Sequence, residues 1–349
     1  MFRTQLTVAF FFSLWTMSAL GQSESVVSPS LAWDVAADPR NAAIGGLDVA
    51  PVQGDGWSLL VNPAAADSTI ERHLYTSYLD YFAGIKGASM AMPLQTKKNR
   101  TSYMGIRFSS FGEFQGVNPV GESTGNFSGG DYACQYGSTW QIDSLWVVGA
   151  STWIGLRNLA QINAGVLGAD VAVVRKTKDG RGAVGLLISN LGFQEDFSGI
   201  MPQGFLPSNI QIGWTQGFLN APFIVHARLQ KLGTWELAPE GTYDDTYDPL
   251  SGEIVPNTTW QWGDQLARHF TAGVTLLLGE HLRGHVGYNH QRQKTMAIAG
   301  RTGVNGLSVG LRGKFRSLDF SVARSVYHYA GASTHLGLVL RWPESRAKS

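Results

Sequence analysis

Cysteine is almost missing from this 349-residue chain: Cys134 is the only one. No intramolecular disulfide and no multi-cysteine metal centre can therefore form. Charge is scarce as well, with Asp, Glu, Lys and Arg making up 15% of residues against about 25% in soluble domains. The formal net charge of +1 gives no electrostatic hold on nucleic acid or on an anionic lipid surface. Beyond the first 21 residues there is no apolar run of the ~20 residues that a spanning helix needs. A membrane role then requires a closed β-barrel, because in lipid every backbone N–H and C=O must be satisfied within the protein.

What the chain has in quantity is short alternating segments and 42 glycines. In Ser102–Phe108, Met104, Ile106 and Phe108 fall on one face and Tyr103, Gly105 and Arg107 on the other. In Asn209–Trp214, Ile210, Ile212 and Trp214 oppose Gln211 and Gly213, and in Leu282–Asn289, Leu282, Val286 and Tyr288 oppose Arg283, His285 and Asn289. A period of two with one apolar face is the signature of a strand.

Fourteen such segments can be placed, near Leu74–Leu79, Lys86–Met92, Ser102–Phe108, Asp131–Tyr136, Leu145–Gly155, Ala164–Val174, Gly182–Ser189, Asn209–Trp214, Phe223–Leu229, Phe270–Leu278, Leu282–Asn289, Leu307–Gly313, Leu318–Val326 and Leu336–Trp342. Their links alternate: those after Asp131–Tyr136, Ala164–Val174, Asn209–Trp214, Phe270–Leu278 and Leu307–Gly313 are short. Ser109–Gly130, Leu191–Ser208, Gln230–His269, His290–Gly306 and Tyr327–His335 are long. Tight periplasmic turns, long extracellular loops and an even strand number mark an outer-membrane barrel. The link Pro93–Thr101 is somewhat long for a periplasmic turn. The expected fold is all-β: a transmembrane antiparallel β-barrel of about 14 strands over residues 74–342, with a C-terminal tail at 343–349.

Residues 1–21 have the layout of a signal peptide: Arg3, an apolar stretch from Leu6 to Leu20, and Ala19-Leu20-Gly21 before Gln22. Residues 22–73 then form a segment too long for a leader. Fourteen strands leave a hole unless something fills it, so this hatch-like segment either enters the lumen as a plug or packs beneath the barrel, with Asn62 and Pro63 as candidate hatch or lumen residues.

Collinear blocks along the mature chain resemble the PorQ family. They include Asn41-Ala42-Ala43-Ile44-Gly45-Gly46, Asn62-Pro63-Ala64, Tyr78-Leu79-Asp80-Tyr81-Phe82-Ala83-Gly84-Ile85, Phe111-Gly112-Glu113-Phe114, Gly287-Tyr288-Asn289-His290-Gln291-Arg292 and Tyr327-His328-Tyr329-Ala330-Gly331-Ala332. The Asn-Pro-Ala element and the plan are also similar to fatty-acid-transporter-like barrels. The resemblance implies a non-enzymatic outer-membrane scaffold of the type IX secretion system. It would hold a PorZ-like surface partner, beside a PorU-like sortase and a PorV-like barrel, with lipopolysaccharide met indirectly and no cofactor. The rival expectation is an outer-membrane transporter of hydrophobic small molecules, which predicts an apolar lumen pocket and a hatch that yields. Arg107, Gln211, Arg283 and His285 on inward faces speak mildly against it.

The candidate chemistry is thin. Gly306-Leu307-Ser308-Val309-Gly310 matches the nucleophile-elbow pattern, which needs a strand-to-helix turn, but Ser308 falls in an alternating strand. Ser345-Arg346-Ala347-Lys348 reads Ser-x-x-Lys without companion motifs. Asp244, Asp245, Asp248 and Glu253 do not have EF-hand spacing and read as a solvated acidic loop. The Gly233–Gln265 insert also carries Trp235, Tyr243, Tyr247, Trp260 and Trp262. Aromatics of this kind are favoured as interface anchors and equally as membrane girdles; as anchors they would make this loop the docking face.

Overall fold

The computed structural model describes residue 36 and residues 38–341, apart from 47, 71, 98, 119, 161, 200–202, 248–253, 296–303, 316–317 and 329–330. The signal-like residues 1–21 and the tail 343–349 lie outside the described residues, as does the Ser345-x-x-Lys348 pattern. Fourteen strands form the wall among the described residues: β1 (His73–Asp80), β2 (Lys86–Lys97), β3 (Arg100–Val117), β4 (Ser123–Gln141), β5 (Trp146–Leu159), β6 (Ile162–Lys176), β7 (Gly182–Asp196), β8 (Asn209–Phe218), β9 (Ala221–Leu229), β10 (Phe270–Leu278), β11 (Leu282–Asn289), β12 (Leu307–Phe315), β13 (Leu318–His328) and β14 (Gly331–Arg341). Each pairs antiparallel with its chain neighbours. The first meets the last from His73 opposite Arg341 to Asp80 opposite Thr334, which closes the sheet and removes its edges.

Three links differ from expectation. Strands β2 and β3 run on to Lys97 and from Arg100, so the connection read as long is tight. Strands β3 and β4 continue to Val117 and from Ser123 as a projecting hairpin where a loop was expected. The Phe114 and Phe127 rings stack across it at 5.3 Å, the cross-strand pairing that sustains a ladder beyond the wall. Strands β13 and β14 likewise extend, to His328 and from Gly331.

The two faces of the wall are chemically opposed. Ile106, Ile154, Leu167, Val184, Val309 and Leu336 point outward and are exposed, while Tyr103, Arg107, Gln211, Thr275 and His285 point inward and are buried. Cys134 is on the outward face, and Ser308 is the second residue of β12, paired with Gly287 and Ser325, with strand and no helix after it. Ile154 lies in the middle of β5, and an Ile154→Arg substitution puts a charge into lipid at a cost of roughly 2–4 kcal/mol. Urea unfolding of the barrel in lipid vesicles should show that loss; an unchanged midpoint would mean that this face does not meet lipid.

The core lies inside the barrel. The described part of the N-terminal segment, up to 72, fills the lumen with a short helix, α1 (Pro39–Ala43), and a 3-10 turn over Gly56–Leu60. Trp57, Leu59, Leu60 and Ile70 pack on the wall residues Tyr75, Tyr103 and Val339. Val49, Ala50 and Ala64 pack on Val147, Val174 and Leu187. The helix starts where Asp38 caps the Asn41 N–H at 2.8 Å and Pro39 occupies the first turn.

Candidate functional site: the hatch and the cavity above it

Glycine on the inward face lets the hatch backbone reach the wall. A Cβ on Gly149 would collide with Pro63, on Gly185 with Val49, on Gly273 with Ile44 and on Gly287 with Ile44 and Gly45. Gly105, Gly213, Gly310 and Gly337 meet Leu60, Val49, Ala43 and Pro39 in the same way. Eight strands therefore each contribute a glycine to a seat shaped for the segment. The lumen glycines are visible as alternation in the sequence, but their partner is not.

Asn62 and Pro63 lie in the described part of the N-terminal segment, against the wall. Asn62 is fully buried: its amide donates to the Asp48 and Val49 carbonyls at 3.0 and 3.2 Å, and its Oδ1 accepts from the Ala64 N–H at 2.9 Å. The Pro63 carbonyl accepts from Thr139 Oγ1 on β4. This element thus folds the hatch on itself and ties it to the wall.

Beneath it runs a buried ionic network. Arg40 on α1 reaches Asp48 at 2.6 Å and Asp55 at 3.0 Å. Arg312 of β12 grips Asp319 through two hydrogen bonds at 3.0 and 2.8 Å and lies over the Trp57 ring at 4.7 Å. Burial, with the Asp55 charge next in size, pushes the Asp38 carboxyl up to about 6. For Asp48 burial alone would raise the value, but the Arg40 guanidinium outweighs it and holds the carboxyl below its ordinary range.

Above the hatch, on the side of the long links, is a cavity of about 410 Å³. The wall gives it Arg107, Asp170 and Arg228, the links give it Lys231 and Arg292, and the hatch gives it Asn41, Gly46 and Leu60. A register shift between β6 and β7 sits beside it. There Asp170 accepts from the Asn190 N–H at 2.9 Å and from Ser151 at 3.2 Å, and Asn190 takes a positive φ of 62°. Bulges of this sort re-aim side chains next to sites. The apolar lining that a transporter of hydrophobic molecules predicts is present in part, at Ala36, Leu60, Val61, Tyr81, Trp153 and Tyr327.

Two helices pack together on this side, α2 (Gln261–His269), which begins at the end of the insert, and α3 (His290–Thr295), in the link after β11. Asp264 of α2 receives hydrogen bonds from Arg268 at 2.8 Å and Tyr243 at 2.9 Å, and faces His290 of α3 at 3.3 Å. Burial opposes its charge, but these hydrogen bonds, Arg268 first, keep its carboxyl below the ordinary range. The hydroxyl of Tyr243 is therefore occupied in pinning the loop. Tyr247 pairs through its backbone with Ile254 in a short hairpin. Trp235, Trp260 and Trp262 do form an exposed cluster, with ring centroids 6.0 and 5.7 Å apart, and Trp235 stacks on His269 at 5.5 Å. Of the acidic loop, Asp245 accepts from the Asn257 N–H at 2.9 Å, while Asp248 and Glu253 lie outside the described residues. Among the described residues no group of three or more metal-ligating side chains is assembled.

No protein-family model matches the chain, and no curated protein matches it. Two structures of the toluene transporter TodX of Pseudomonas putida are similar. One has a TM-score of 0.55 at 13% identity over 90% of this chain and 100% of that one; the other has 0.53 at 12% over 89% and 98%. A FadL homologue of Pseudomonas aeruginosa gives 0.45 at 11% over 86% and 96%. At such identities the likeness to TodX is one of fold. The chain is a closed fourteen-stranded outer-membrane β-barrel with an N-terminal segment.

Proposed function

We propose that this barrel is an outer-membrane transporter for small molecules, in which the N-terminal segment is a releasable hatch. One observation carries the reading. The cavity lies on the side of the long links and has hatch residues in its lining, so a ligand held there touches the element that blocks its path. The likeness in fold to a toluene transporter supports the same reading.

A disulfide tether tests it. Ala43 of the hatch packs against Ala323 of β13, so an Ala43→Cys/Ala323→Cys pair in a Cys134→Ala background would fix the hatch in its seat. Reconstituted in liposomes, the oxidised protein should stop solute entry and its reduction should restore it. Equal flux in both states would overturn the hatch as gate.

A second reading is favoured by the exposed Trp235, Trp260 and Trp262 cluster: the barrel as membrane anchor for a surface protein. In the finer form that the resemblance to PorQ implies, the partner is PorZ-like within a type IX secretion complex. A tagged barrel purified from outer membranes would then bring a stoichiometric partner, lost on changing the three tryptophans to Ala. A barrel that emerges alone speaks against this reading.

A further inference from the structure

We infer that the cavity above the hatch is a binding site for a small hydrophilic organic anion, a hydroxylated carboxylate, recognised by Arg228 and Arg292. This rests on the transporter reading and names its substrate class.

The first argument is charge. Among the described residues, four basic side chains line the cavity (Arg107, Arg228, Lys231 and Arg292) and one acidic side chain, Asp170. Four arginines of this protein are held by carboxylates: Arg40 by Asp48, Arg157 by Asp131, Arg268 by Asp264 and Arg312 by Asp319. Arg228 is not. Its guanidinium touches only neutral oxygens, Gln230 Oε1 at 2.7 Å, Gln211 Oε1 at 3.2 Å and Thr271 Oγ1 at 3.3 Å. Its buried Nε has no hydrogen-bond partner. Arg292 lies over the Tyr327 ring at 3.8 Å, and its buried Nη1 is likewise without one. A buried cation without a counter-ion costs free energy. The guanidinium fork matches a carboxylate in two parallel hydrogen bonds, so a ligand carboxylate completes what the protein leaves open.

The second argument is the rest of the lining. Gln135, Asn209, Gln211, Gln230 and Gln291 surround the cations. Primary amides both donate and accept, which suits hydroxyl groups on the ligand. About 410 Å³ is within the range of small-molecule sites.

The third argument is position. The Arg228 guanidinium lies directly on Gly46 of the hatch, where any Cβ would collide with it. An anion that draws Arg228 towards itself therefore disturbs a hatch contact, so binding and release share one side chain.

The test is binding of D-gluconate to the purified full-length barrel in detergent, by calorimetry, beside sorbitol and decanoate. Sorbitol keeps the hydroxyls without the carboxylate; decanoate keeps the carboxylate on an apolar chain. Gluconate should bind, sorbitol at least about tenfold more weakly, and Arg228→Gln and Arg292→Gln should each cost about tenfold, the loss of one charge-assisted hydrogen bond. Heat-modifiable gel mobility checks that Arg228→Gln folds, and Arg292→Gln, outside the wall, serves if it does not. No gluconate binding, equal binding of sorbitol, or full binding by both variants overturns the proposal. So does decanoate binding in gluconate's place, which leaves a transporter of another substrate class. Failure of the transporter reading itself would appear instead in the tether experiment, as flux indifferent to the hatch.

Discussion

Replacing Arg40 by methionine is expected to unseat the hatch and turn a closed barrel into a leaky one. The arginine side chain is the shared cation of Asp48 and Asp55, at 2.6 and 3.0 Å, inside the lumen. Asp38, two residues before Arg40 at the helix N-cap, is itself buried. Removing one partner of a buried ionic group leaves uncompensated charge and costs roughly 3–5 kcal/mol. That is enough to raise the open population by about a hundredfold or more. Planar-bilayer conductance and hydrogen exchange of the hatch amides read the two sides of this. Wild-type exchange in the Arg40→Met protein would mean that the network does not hold the hatch.

The same network gives the hatch a pH dependence to which Asp38 and Asp48 contribute with opposite signs. The seated value of Asp38, about 6, lies above the ordinary carboxylate value. Its contribution is therefore complete below about pH 4 and is lost as pH rises through 6, by roughly 3 kcal/mol in all. Asp48 runs the other way. Its carboxyl is held below the ordinary range in the seated state, so its contribution is present at neutral pH and is lost only under stronger acid. Asp38→Asn isolates the Asp38 part: between pH 5 and pH 7.5 the wild-type hatch should lose more exchange protection than the variant, after correction for intrinsic rates, and equal losses would mean that Asp38 does not titrate in the seat.

The wall is legible in the sequence because lipid imposes the simplest pattern available, apolar residues at every second position with turns between. All fourteen strand positions can be placed from that pattern. Their ends cannot, since Phe114 and Phe127 stack across a hairpin beyond the lipid, where the alternation no longer reports burial. The hatch is legible as a surplus of chain before the first strand, and Asn62 as part of a distinctive triplet. Its seat is not, because Gly273 and Gly287 look alike in sequence to Gly284, and only the fold says which of them meets backbone. The cavity is hidden for a related reason. Arg228 alternates into the lumen just as Arg312 does, and nothing in the sequence tells that one finds Asp319 and the other finds amides. Tyr243 reads as a free anchor because Asp264, its partner, lies 21 residues away on a helix where the sequence suggests only loop.

Gly287→Val should expel the hatch helix from its seat without harming the wall, and Gly284→Ala on the same strand should do nothing. The two positions separate the role of glycine in the strand from its role under the hatch. Gly284 faces outward, and a Cβ there meets its nearest atom, Leu278 Cδ1, at 3.6 Å, an ordinary contact. Gly287 faces inward, and its Cβ would run into the backbone of Ile44 and Gly45. Backbone cannot swing aside as a side chain does, so the strain exceeds the ~1–3 kcal/mol typical of core overpacking. β-Propensity pushes the other way, since valine suits a strand better than glycine, which is why the barrel itself should still fold. Heat-modifiable mobility should then be unchanged in both variants, while conductance rises in Gly287→Val alone. Conductance rising equally in Gly284→Ala would assign the effect to the strand. Silence in Gly287→Val would mean that the hatch is not held against β11, and the gate would have to be sought elsewhere in the lumen.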